Sequence, residues 1–135
     1  MIITMKKHTQ GFTVIEILFV AILIGVASVL FFFQKHNIEI VAQDDIKKVS
    51  INAMYYGLEE VFYPANKYYP QSISSDNLKS VDPALFTDPD GIIINTAGSA
   101  YTYSPTNCND SKCKSYTLQS TLENEGDFIK TSKNN

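Results

Sequence analysis

From Phe12 to Phe33 the chain is apolar, and Glu16 is the only charged residue in the stretch. As a helix these 22 residues would run about 33 Å, enough to cross a ~30 Å hydrocarbon core. Beyond this stretch the pattern becomes amphipathic. No Pro or Gly interrupts Gln34 to Tyr56, and Asp44 and Lys48 stand at i,i+4, where opposite charges pair on a helix. Ile51, Met54, Tyr55, Leu58, Val61 and Phe62 then recur at helical spacing, a stripe read as core packing against a sheet. The adjacent Glu59 and Glu60 read as a solvated helix edge. Pro64 predicts the end of the helix, because the residue before a proline is pushed out of the helical region. One helix from about Thr13 to Phe62 would span roughly 75 Å.

Residues 64–90 read as an irregular connection, with Tyr69-Pro70 and the Ser72–Asn77 run as loop chemistry. Asp82-Pro83 predicts a short helical turn over Asp82–Phe86, with Asp as N-cap and Pro at the first position. Asp88-Pro89-Asp90-Gly91 is a turn signal. Its two acids lack the further oxygen ligands a calcium loop needs. From Gly91 to the end the pattern is β. Ile92–Asn95 and Ala100–Ser104 flank Thr96-Ala97-Gly98-Ser99 as a hairpin, and Tyr101 and Tyr103 alternate with small polar residues. Ser115–Leu122 places Tyr116, Leu118 and Leu122 on one side. Phe128–Thr131 forms a last short strand after Gly126-Asp127, and Ser132 to Asn135 read as frayed. The expected fold class is therefore α+β: a long N-terminal helix packed on a small three- to four-stranded antiparallel sheet.

Glu16 then becomes the position to explain. A carboxylate at the centre of a membrane helix costs roughly 2.5–3.5 kcal/mol on insertion scales, and one turn inside the end it costs less but still wants a partner. The preceding segment, Met1 to Gly11, carries Lys6 and Lys7 and no acid, which holds it on the cytoplasmic side. A secretory signal would put a small-residue cleavage site after the apolar run. Here that run ends Phe31-Phe32-Phe33-Gln34-Lys35, and the small residue, Gly11, comes before it. Cutting after Gly11 would remove the basic leader, keep the helix, and create an α-amine on Phe12 four residues from Glu16. A plain signal-anchor that tolerates one snorkelling acid would account for Glu16, leaving Gly11, Phe12 and the basic leader as coincidences.

Over about residues 6–33 this arrangement (basic leader, Gly11-Phe12-Thr13, two apolar residues, Glu16, then about twenty apolar residues) resembles the class III signal peptides of type IV pilins and pseudopilins. The resemblance implies cleavage between Gly11 and Phe12 by prepilin peptidase, N-methylation of Phe12, and Glu16 as the assembly carboxylate. It implies a structural pilin, the major subunit of a type IV pilus. Its partners are copies of itself, other pilins, and the assembly machinery in the cytoplasmic membrane. Before assembly the chain would be a single-pass membrane protein with its N-terminus in the cytoplasm, and afterwards part of a surface filament. Gly25 falls where pilins often have a helix-loosening glycine. Many have a Pro further along, where this chain has Phe33. The same leader also fits a pseudopilin of type II secretion or competence DNA uptake, a minor tip pilin, or a single-pass membrane-anchored binding protein.

Composition narrows the remaining classes. Beyond Gln34 there are nine Lys and thirteen acids, a balance of −4, and the chain has no Arg; an acidic, Arg-free domain argues against general nucleic-acid binding. Cys108 and Cys113, the only cysteines, should pair in an exported domain, in the loop joining two strands. Zinc would need more ligands than residues 37–135 supply, since no His lies there. Asn109-Asp110-Ser111 also fits a glycosylation sequon. His8 would leave with the leader, His36 lies at the membrane surface without a nucleophile, and no phosphate loop or nucleophile elbow occurs. Neither an enzyme nor a cofactor is expected.

Overall fold

The computed structural model describes residues 11–134, so the expected basic leader lies outside the described residues except for Gly11. The described residues divide into two compact units between Asn37 and Ile38. In the first, α1 (Val14–Tyr56) begins with its apolar stretch uncovered: no large hydrophobic from Phe12 to Phe33 is less than 48% exposed. This helix is long and apolar enough, by length and composition, to span a membrane.

In the second unit the rest of α1 packs on a four-stranded antiparallel sheet, giving the expected α+β class. The buried face of the helix is Asp44, Lys47, Ser50, Ile51, Met54 and Leu58. Steps of three and four keep such a face in phase. It therefore starts two turns before Ile51, with charged residues. Ile51, Met54 and Leu58 are fully enclosed, each contributing about 1.5–3 kcal/mol by leaving water. Val61, expected on this stripe, is 53% exposed.

Pro64 does not end the helix at Phe62. A π-helical segment, Gly57–Phe62, follows α1 and leads into α2 (Tyr63–Asn66), which has Pro64 in its first turn. The Tyr63 N–H reaches back five residues to the Leu58 carbonyl. A wider turn gives the pyrrolidine ring room where an α-turn would bring it against a carbonyl. The helical run stops instead at Lys67, which is left-handed at φ +64° and donates its N–H to the Tyr63 carbonyl at 2.7 Å.

The sheet is organised around β3 (Lys112–Ser120). On one side it pairs along its length with β2 (Tyr101–Asn109). On the other it meets β1 (Tyr69–Pro70) at its start and β4 (Phe128–Thr131) at its end. Tyr69-Pro70 is thus a strand, pairing with Cys113 and Lys112, where loop had been expected. Tyr101, Tyr103, Tyr116 and Leu118 face the helix and are buried. The expected hairpin strand at Ile92–Asn95 does not form; only an isolated bridge joins Ile93 to Thr87. Asn95 takes over the local pairing through its side chain, which donates to the Tyr103 carbonyl and accepts from its N–H.

Asp82 caps the 3-10 helix Pro83–Phe86 through the Ala84 N–H at 2.9 Å, as the Asp-Pro pair predicts. Asp88 holds the next turn: one carboxylate oxygen accepts the Asp90 and Ile92 N–H groups and the other accepts that of Ala100. Of the end expected to fray, Asn135 lies outside the described residues, and Ser132 to Asn134 are pinned. Ser132 is buried and donates its N–H to Tyr116, and the Asn134 amide reaches the Tyr69 hydroxyl.

Candidate functional site

The helix start contains the residues singled out for processing and assembly. Gly11 and Phe12 are exposed and lie before the first helical residue. Among the described residues nothing lies within 4 Å of where a Gly11 Cβ would sit, and its φ is outside the left-handed range that favours glycine. The fold itself has no need of glycine there. The Gly11–Phe12 bond is therefore exposed, non-helical chain.

Glu16 has a local role that the apolar pattern conceals. Thr13 is the residue before α1 and its carbonyl accepts the Ile17 N–H at 3.2 Å. Its own N–H and hydroxyl both donate to Glu16 Oε2, at 3.1 and 3.2 Å, while the Glu16 N–H donates to the Thr13 hydroxyl at 3.4 Å. This reciprocal arrangement is a capping box, which satisfies donors that a helix start otherwise leaves orphaned. The acid also lies at the positive end of the helix dipole. The signal was present in the sequence: Thr-Val-Ile-Glu before an apolar run is the capping-box spacing. Thr13 is the residue the sequence reading missed.

A second polar site lies where the π-helical segment meets the sheet. Glu59 was expected on a solvated edge and is 5% exposed. It accepts from the Tyr69 hydroxyl at 3.1 Å, the Tyr116 hydroxyl at 2.8 Å and the Lys133 N–H at 3.2 Å. Burial first, then the Glu59 carboxylate, pushes the Tyr116 hydroxyl well above the ordinary tyrosine range. Glu60 does sit at the surface, bonded to Lys133 Nζ at 2.7 Å.

The expected Asp44–Lys48 pair does not form. Asp44 is buried beside Lys47 at 3.6 Å and accepts the N–H groups of Glu123 and Asn124. Lys48 pairs with Glu125 at 2.7 Å. The i,i+4 rule describes a helix in water, and here the β3–β4 loop competes for both residues.

Cys108 and Cys113 form a disulfide. They lie within β2 and β3, directly opposed in register, not in the loop between them. Asp110 and Ser111 make that two-residue turn, both at positive φ, as the twist of a tight hairpin requires. No group of three or more His, Cys, Asp or Glu able to hold a metal occurs among the described residues. Comparison of the chain with protein-family models, with curated proteins and with solved structures returned no match in any of the three.

Proposed function

We propose that this chain is a pilin-like subunit of a type IV filament, cut after Gly11 and assembled through its apolar helix. The observation that carries the reading is that helix: uncovered from Phe12 to Phe33, preceded by a glycine the fold does not need, and bearing one carboxylate in its first turn. So much apolar surface is stable only against lipid or other apolar helices. In the membrane lipid covers it, and in a filament the helices of neighbouring copies do. An incoming Glu16 then meets the new α-amine of Phe12 on a neighbour. Each charge alone is penalised in a dry core, while the pair attracts strongly there, so the pair favours one axial register.

The capping box offers a rival account, in which Glu16 only starts the helix. The substitution Glu16→Gln separates the two, because glutamine keeps the capping acceptor and loses the charge. The variant is expected to be inserted and processed normally yet be absent from filaments. Parental filament yield from Glu16→Gln would rule out the charge pair. Electron microscopy of cells making the parental chain tests the setting: surface fibres fit a pilus, whereas short rods confined to the envelope would move the chain to the pseudopilins.

A further inference from the structure

The β2–β3 hairpin extends past the edge of the core, and its inward face changes chemistry where it does so. Along that face Tyr101 and Tyr103 on β2, with Tyr116 and Leu118 on β3, are buried. Alternate positions share a face, so the same side continues as Asn107 and Asn109 opposite Lys114 and Lys112. Pairing of β2 with β3 skips Asn107 and Lys114, and Asn107 sits at φ +54°. The residues around the end of α2 close the other side, notably Tyr63, Lys67 and Tyr68. Between them is an open cleft of about 530 Å³, within the range of small-molecule sites.

Its lining has three lysines and no acid, on a chain of net charge −3. Elsewhere in the same unit Lys47, Lys48 and Lys133 have carboxylate partners, and Lys130 lies over the Tyr55 and Phe128 rings. Among the described residues no carboxylate is within salt-bridge distance of Lys67, Lys112 or Lys114, and Lys112 Nζ instead lies over the Tyr68 ring, 5.2 Å from its centroid. Three lysines thus line one cleft with no acid among them, which gives an anionic ligand a complementary charge to meet. The rest of the lining identifies the kind of anion. Asn107, Asn109 and Asn134 line the same cleft and provide amides that both donate and accept, which suits the hydroxyl groups of a sugar.

We infer that this cleft binds a carboxylated sugar, the lysines engaging the carboxylate and the asparagines its hydroxyls. Single-stranded nucleic acid fits less well. One face of Tyr68 is covered by Lys112 and Tyr63 is stacked on Tyr69 at 4.8 Å, which limits the platforms that successive bases would need. The acidic remainder of the domain would also repel a long polyanion. The site is complete within one chain, so it stands whether or not the chain forms filaments.

The test is calorimetric titration of the full chain in neutral detergent with trigalacturonate, a neutral trisaccharide of the same size, and oligothymidylate. Trigalacturonate is expected to bind, the neutral sugar is not, and binding should weaken as salt is raised. Lys67 and Lys114 are exposed and unpaired, so the double variant K67Q/K114Q should keep the parental melting temperature and bind the acid about tenfold more weakly. Absence of trigalacturonate binding, equal affinity for the neutral sugar, undiminished binding by the variant, or tighter binding of oligothymidylate would each overturn the assignment.

Discussion

A carboxylate as deeply buried as Glu59 stays only if donors surround it, and two tyrosine hydroxyls and a backbone N–H do so. Replacing it with leucine leaves those donors unsatisfied in the core. Glu59→Leu is therefore expected to cost about 3 kcal/mol in urea unfolding, and Glu59→Gln, which keeps an acceptor, clearly less. Equal losses from both would mean that packing, not hydrogen bonding, holds the site. Asp44 works differently. Burial alone would raise its pKa, but the Asn124 and Glu123 N–H groups and the Lys47 ammonium hold it below the ordinary 3.8. Its folded-state pKa is thus depressed, so its stabilisation is present above pH 3.8 and disappears as pH falls through the lower folded value. In acid titrations monitored by circular dichroism, Asp44→Asn should be less stable than the parent near neutrality, with the difference shrinking towards low pH. Neither Asp44 nor Glu59 was legible in the sequence as buried. Charge alone reads as surface, and Asp44 betrays itself only by standing in phase with Lys47, Ile51 and Met54.

At the level of elements, the signals that were legible were those carried by a few neighbouring residues. The Asp82-Pro83 cap, the turn at Asp88 and the last strand Phe128–Thr131 all formed where local chemistry placed them. Two misreadings each had a cause in the neighbouring chain. Ile92–Asn95 has strand-like residues, but Asn95 bonds Tyr103 through its side chain and leaves no ladder to extend. Pro64 is a stop signal in an α-helix, and the π-helical segment before it removes the clash. That segment also changes the phase of the helix face, which is why Glu59 and not Val61 turns inward. Its start is tightly fitted: a Cβ on Gly57 would lie 2.6 Å from Val81 Cγ2, on a stiff β-branched side chain. Gly57→Ala is expected to destabilise the domain by about 1–3 kcal/mol. Adding Val81→Ala should restore part of that loss, since the two sites are in contact. A double variant whose loss is merely the sum of the two single losses would show that the clash is relieved elsewhere.

For the whole molecule, the division between an uncovered apolar helix and a folded domain was legible from the hydrophobic pattern, and the domain's acidity and disulfide from its charges and its two cysteines. The strand β1 was not, because it is two residues long and exists only through its pairing with β3. The functional account adds a chemical event to this architecture. Glu16 already has a partner in Thr13, so the proposed role in assembly depends on a second one, the Phe12 amine, which exists only after cleavage. Mass spectrometry of the N-terminal peptide from the chain recovered from its native cells measures that event directly. The expected result is a chain beginning at Phe12 and carrying an N-methyl group. A chain that retains Gly11 and its leader, or one cut beyond Phe33, would contradict it.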